Sequence, residues 1–407
     1  METLKLNSVL AKLSNVKVGT GREELIHEGQ VLVLEKAARA RNSALKSANR
    51  PAEDFGSNFK SNSDFEAYCQ KWSEDVLYYA ASKANSFYDK ETDRDNRATY
   101  MNRELMSNGI FLHTLAQTWN EILRPVTPAL VSDIVGEMCS VVTTPIGQTY
   151  EVAIQSNAVI AWEDTTWTSL RSVPQDKLYG ESITINPKPK AARAVINLYQ
   201  MLGNGQNMVD TLAAIAGGYA AMVMRKFTDA FTAAAANTKY LPSVLKAQGY
   251  TDLNWATLCQ NVAKANRVRR TDLIAYGNFL ALRKILPDNA TLAPSIMMQL
   301  GNDYFRNGYL MSHDGVMVYE IQPTSSPETI NTTLTDVFPT NEIIIAARAS
   351  ERYAPMIACF EEGGDMQIDL TPAEGAVATG RIEVLQTACF DIAPVFASRI
   401  GVMENIV

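Results

Sequence analysis

The stretch GNGQNMVDTLAAIAGGYAAMVMRKF (203–227) limits what this chain can fold into more than any other. Leu212, Ile215, Tyr219, Met222, Val223, Phe227 and Phe231 recur at intervals of three and four, the spacing of one helix face. The pattern predicts a helix over 206–236, about 45 Å long at about 1.5 Å per residue. Its other side is small and flat, with Ala213, Ala214, Gly217, Ala220 and Ala221. Gly217 and Gly218 stand together mid-helix, where each costs about 1 kcal/mol relative to alanine. Something must offset that cost: another backbone packed close against the flat side, or a bend that follows a curved surface. Asn204 or Asn207 is placed to cap the first turn.

The glycines that open the stretch raise the question of phosphate binding. Gly203-Asn204-Gly205 is only G-x-G, because Met208 stands where a dinucleotide loop needs its third glycine. No P-loop, HExxH or GxSxG pattern occurs, and His27-Glu28 has no second histidine at the right spacing. The chain has only three histidines, His27, His113 and His313. The five cysteines are far apart and form no CxxC pair, so buried free thiols are expected. The acidic groups Glu361-Glu362 with Asp365, Asp93 with Asp95, and Glu163-Asp164 read as solvated surface or turns. Arg267, Arg269 and Arg270 read as a helix end complementing the backbone dipole. The sequence thus offers no catalytic, cofactor or metal residues.

A net charge of −7 argues against duplex binding as the main task, since phosphate contacts require a basic surplus. The longest apolar run, 212–224, is too short for the roughly 20 residues of a spanning helix, and the first residues interleave Lys5, Lys12 and Lys17 with apolar ones. A soluble protein without a signal peptide is expected. At 407 residues the chain is long enough for two or three domains.

The rest of the chain divides by pattern. Residues 1–125 read as helical, with amphipathic runs over 22–48, from a Ser63-x-x-Glu66 capping box to about 80, and over 99–123, stopping before Pro125. From about 140 the sequence turns to Thr, Val, Ile, Tyr and Trp in short alternations, which are strand signals. Residues 149–189 have no dense apolar face and read as a β-excursion that leaves the core and returns. Trp162 and Trp167 lie within it and are expected at an interface, where Trp is favoured. Strands are expected at 190–201, in GVMVYEIQPT and NEIIIAARAS, around the Gly-Gly turn of MIACFEEGGDMQIDL, and in a long final strand broken at Pro394.

This order of parts resembles the major capsid protein of tailed bacteriophages, the Hong Kong 97-like fold. The likeness is densest in PALVSDIVGEMCSVVTTPIGQTYEV (128–152), where a short helix ends in I-V-G and Pro145, Gly147 and Tyr150 follow as P-x-G-x-x-Y, similar to myophage capsid proteins. The resemblance implies an α+β fold. Its parts would be an N-terminal helical arm over 1–127, a lead-in over 128–148 and an extended β-hairpin, the E-loop, over 149–189. A peripheral domain with a long spine helix would cover 190–239 and 381–407, and an α/β axial domain 240–380. It also implies function. The chain would be a non-enzymatic subunit that self-assembles into hexamers and pentamers of an icosahedral shell enclosing double-stranded DNA. Portal, scaffold and decoration proteins would be its partners, with assembly in the bacterial host cytoplasm and the virion as its final place. Trp162, Trp167, Arg171, Lys177 and Tyr179 would form the intersubunit contact, and Gly217-Gly218 a hinge in the spine helix. The alternatives are an α/β nucleotide- or metal-dependent enzyme, using the Gly203 loop or the 361–365 carboxylates, and an encapsulin-like compartment shell.

Overall fold

A computed structural model describes residues 21–47, 59, 61–84, 105–153, 182–202, 207–236, 241–286, 304, 308–321, 332–336, 338–347, 356–362, 366–373, 376–394 and 399–406. Three long helices come first: α1 (Arg22–Ser47), α2 (Asn62–Ala84) and α3 (Gly109–Met138). They pack on one another and on helix α4 (Met208–Ala236), and all four share one hydrophobic core. Gly29 of α1 lies where α2 and α3 cross it. A Cβ there would run into the Trp72 ring and come within 2.9 Å of Ile122 Cδ1, so glycine sets the approach of the three helices.

Two local expectations in this layer are corrected. The capping residue of α2 is Ser61, whose Oγ accepts the Asp64 N–H at 3.1 Å, rather than Ser63. Glu66 is drawn into tertiary contacts instead, with Lys36 Nζ at 2.5 Å and Asn207 Nδ2 at 2.8 Å. Helix α3 runs through Pro125 and Pro128 rather than ending before them. Pro125 has no N–H to give to the Glu121 carbonyl, and Gln30 Nε2 of α1 donates to that carbonyl at 3.1 Å. A neighbouring helix thereby supplies the bond that proline removes.

The expected start of α4 holds. Asn207 caps it, its Oδ1 accepting the Asp210 N–H at 2.8 Å, and Ser73 Oγ accepts the Met208 N–H at 3.0 Å. Lys36 bridges Asp210 at 2.7 Å and Glu66, so α1, α2 and α4 meet at one ionic cluster.

The strands form two large sheets and one hairpin stem. The first sheet contains β1 (Cys139–Thr144), β4 (Lys188–Asn197), β10 (Met356–Glu361), β11 (Gln367–Pro372) and β12 (Arg381–Pro394). The stem pairs β2 (Tyr150–Ala153) with β3 (Ser182–Ile185), antiparallel. The second sheet runs β5-β13-β9-β6-β8-β7, from β5 (Lys246–Gln248), β6 (Leu273–Gly277), β7 (Ser312–His313), β8 (Val316–Glu320), β9 (Ile343–Ala347) and β13 (Gly401–Glu404). Its central strands β6 and β9 are buried at every residue, as their continuous apolar sequences require. Helix α5 (Asp252–Asn266) packs against β5, β9 and β13, and Asn266 pins the incoming chain by exchanging two bonds with the Arg399 backbone, at 2.6 and 2.7 Å.

Sheet membership does not follow the 380/381 boundary read from the sequence. β10 and β11, within 240–380, belong to the first sheet, and β13, within 381–407, belongs to the second. β12 explains why. Phe390 pairs with Phe360 of β10 and with Lys188 of β4, so these strands lie on opposite sides of β12. β11 pairs with β12 over 382–387, within the span that β4 covers from the other side. β11 and β10 therefore succeed one another along one side of β12 rather than pairing together, and β4 runs along the other.

Candidate functional site

The described surface carries a hairpin root and, along α4, an open trough. The root begins at the turn Pro145-Ile146-Gly147-Gln148, closed by Gln148 N–H donating to Pro145 O at 3.1 Å. Gly147 has φ +74°, which an L side chain resists. Its N–H donates to Glu361 Oε1 at 2.6 Å, and the Glu362 N–H donates to Thr144 O at 2.6 Å. The Glu361 carboxyl is held below the usual carboxylate range by the Cys389 thiol first and by the Gly147 N–H second. Beneath the stem, Ile185, Ile357 and Cys359 form a small separate core, with Tyr150, Val152 and Ile183 against it. The stem of β2 and β3 therefore stands on a fixed base.

Lys190 stands at the start of the returning strand. Its ammonium donates to Phe390 O at 2.5 Å and to Lys188 O at 3.2 Å, and lies 4.4 Å from the centre of the Phe390 ring. Burial pushes its pKa down, against the pull of Asp391. Burial and Glu361 push the neighbouring Cys389 thiol up to about 11. Burial likewise raises Cys69 and Cys259 to about 12, which makes all three poor nucleophiles near neutral pH.

β4 then runs ten residues and is exposed over most of them, with Val195 at 58%. Among the described residues nothing pairs with its outer edge. Beside it, α4 and the β4–β12 pair enclose a trough in two connected parts of 320 and 520 Å³, sharing Ala214, Ile215 and Gln386. Its lining mixes small and apolar side chains, Ala191, Ala192, Ala194, Gly218, Tyr219 and Met222, with the charged Lys190, Asp210, Arg225 and Arg381. Gly217 and Gly218 are exposed, and a Cβ on either would meet nothing within 4 Å. The close-packed second backbone considered from the sequence is thus not supplied by the described residues.

The other residues singled out from sequence fall as follows. Trp162, Trp167, Arg171, Lys177, Tyr179, Gly203 and Gly205 lie outside the described residues. Arg267 is the left-handed C-cap of α5 at φ 55°, and Arg269 N–H donates to Asp272 Oδ2 at 3.3 Å in the turn that follows. Both have local structural tasks. Among the described residues no group of three or more His, Cys, Asp or Glu is placed to hold a metal ion, and no helix is long and apolar enough to cross a membrane.

Sequence reasoning missed one polar cluster. Tyr250 Oη lies 2.8 Å from Asp252 Oδ1, 2.9 Å from Leu286 O and 3.1 Å from His313 Nε2, with Trp255 packed on the His313 ring at 5.5 Å. Burial and the bond to Asp252 push the Tyr250 hydroxyl pKa far up. These residues come from three separated segments, so no local motif could announce them.

No protein-family model matches the sequence, and no curated protein does. Among solved structures, the chain is similar to one in the asymmetric unit of the bacteriophage PhiM1 mature capsid. Identity there is 11%, over 66% of this chain and 85% of that one, with a TM-score of 0.42. It is similar to a chain of the satellite phage P4 procapsid including size determination protein, at 13% identity over 71% and 91%, TM-score 0.41. It is also similar to the SrpI encapsulin complex of Synechococcus elongatus, at 9% identity over 66% and 85%, TM-score 0.36.

Proposed function

We propose that this chain is the repeating subunit of a phage capsid with the Hong Kong 97-like architecture, assembling into hexamers and pentamers of an icosahedral shell around double-stranded DNA. One observation carries this reading: the ten-residue strand β4 has an edge with no strand partner among the described residues, and a trough lies open between it and α4. An exposed strand edge of that length is a template for another chain's backbone, and globular proteins normally blunt such edges. β4 has blunting residues only at its start, Lys188, Pro189 and Lys190. Arg193 turns to Glu383 on the adjacent strand, at 3.7 Å, leaving Ala191, Ala192, Ala194 and Val195 along the edge.

In this reading the hairpin rooted at Glu361 reaches across a neighbouring subunit and anchors there through Trp162, Trp167, Arg171, Lys177 and Tyr179. Each contact is weak alone, and closure of the shell gives every subunit several at once, so avidity stabilises the whole. Gly217-Gly218 serves as the point where α4 bends when the shell changes size. Portal, scaffold and decoration proteins are the expected partners. The acidic balance suits holding DNA without adhering to it.

Size-exclusion chromatography with negative-stain microscopy of the purified chain tests the proposal. Capsomers, tubes or closed shells are the expected result. A monodisperse monomer at every concentration overturns it.

A further inference from the structure

Strand β13 lies between β5, parallel, and β9, antiparallel, and its two ends are held by different chemistry. At the entry the pin is neutral: the side chain of Asn266 exchanges two bonds with the Arg399 backbone, at 2.6 and 2.7 Å. Gly401 then presses against α5, where a Cβ would come within 2.5 Å of Val262 and 3.0 Å of Leu258. At the exit the contacts are charged. Met403 pairs with Ile343, so the next residues in register, Glu404 and Glu342, stand opposite each other across the β13–β9 pair. Like charges at opposed positions repel. The cation beside them is Lys246 of β5, with Nζ 3.7 Å from Glu404 Oε1. Gln248 Nε2 donates to Glu404 Oε2 at 2.7 Å, and Asn405 Nδ2 donates to Gln248 Oε1 at 2.7 Å. Two backbone bonds close the exit: the Gly249 N–H donates to Glu404 O at 2.8 Å, and the Ile406 N–H to Asn341 O at 3.0 Å.

We propose that Glu342 and Glu404 form a proton-controlled clasp on the exit of β13, loosened when both are ionised and closed when the pair takes up one proton. Glu342 is half-buried, and the charged groups acting on it are Glu404 from β13 and Lys246 from β5. Burial first, and Glu404 second, hold its carboxyl above the usual range, with Lys246 opposing. A carboxyl raised on folding binds more protons in the folded chain than in the unfolded one. Its contribution therefore grows as pH falls through the raised value and is complete below the ordinary glutamate pKa of about 4.3. The strand before β13, β12, belongs to the first sheet, so the clasp sets how firmly the chain's end is seated in the second. The clasp belongs to the single chain and does not depend on the shell.

Amide hydrogen exchange on the full chain tests it, read as protection factors so that the pH dependence of intrinsic exchange divides out. The Gly249 and Ile406 amides, which cross the clasp, should be about threefold more protected at about pH 5 than at about pH 8. The Arg399 amide, at the neutral pin, should show no such difference. Glu342→Gln should raise protection at Gly249 and Ile406 about threefold at about pH 8 and abolish its pH dependence. Protection at these two amides that is equal at both pH values, or lower in acid, overturns the proposal. So does a Glu342→Gln variant that keeps the original pH dependence. A change shared equally by Arg399 also overturns it, by giving the effect to the whole fold rather than to the clasp.

Discussion

The two sides of β12 are finished differently. On one side, β11 would expose the backbone of Ile368, but Asn120 of α3 closes it. Asn120 Nδ2 donates to Ile368 O at 3.0 Å and Asn120 Oδ1 accepts the Ile368 N–H at 2.7 Å, as a further strand would. On the other side, β4 has no such partner among the described residues and faces a trough lined by alanines and Gly218 together with Lys190, Asp210, Arg225 and Arg381. The fold can close an edge with a single side chain, and β4 is the edge to which the proposed neighbour would add.

The largest effect should come from blunting that open edge. Ala192→Lys with Ala194→Lys places charges where a neighbour's backbone would approach, and assembled material should fall at least about tenfold by size-exclusion chromatography. The isolated subunit's stability should move by no more than about 0.5 kcal/mol, as for surface changes in general. Undiminished assembly would show that β4 is not a contact edge.

Opening the closed edge gives the converse. Asn120→Ala removes two hydrogen bonds and should destabilise the subunit by about 1–3 kcal/mol in urea unfolding. A change below about 0.5 kcal/mol would mean that β11 does not depend on its side-chain partner.

The trough wall supplies a third test, with the opposite sign. Gly217→Ala with Gly218→Ala should stabilise the subunit by about 1–2 kcal/mol, since the added methyls meet nothing and alanine is the better helix former. If the pair is a hinge, these shells should assemble and then fail to change size. Normal assembly and expansion of the double variant would remove the hinge.

The smallest effect concerns pH. The folded-state pKa of Glu361 is depressed, so its contribution is present above the ordinary carboxylate pKa and is lost as pH falls through the lowered folded value. Glu361→Gln should flatten the acid end of the stability profile and speed amide exchange at Gly147. An unchanged profile and unchanged exchange would show that the Glu361 contact does not hold the hairpin base.

The sequence made α4, a cap at one of two asparagines, the break of the last strand at Pro394 and the buried strand β9 legible, because each depends on residues within a few positions. What it hid depends on distant ones. Helix α3 continues through Pro125 because Gln30, on another helix, satisfies the Glu121 carbonyl. Glu66 left its expected capping role because Lys36 and Asn207 compete for it. The sheet boundary was misplaced because β10, β11 and β12 read alike whether they pair locally or across the fold. Gly217-Gly218 was correctly read as unusual, but the missing neighbour could only be established by seeing an empty space. Of the proposed contact surface, the hairpin root was foreshadowed by P-x-G-x-x-Y; the pin at Glu361 was not, since its partners Gly147 and Cys389 are separated in sequence from it and from each other.

Phe390 touches both sides of this contrast at once, pairing with Lys188 on the open strand and with Phe360 beside the hairpin base. Adjacent strands lie about 5 Å apart, so a load applied along β4 reaches the carboxylate clamp after crossing only two strand gaps. In the shell proposed here, the gripping edge and the base of the hairpin are geared to one axle, and whatever takes hold of the first can re-aim the second.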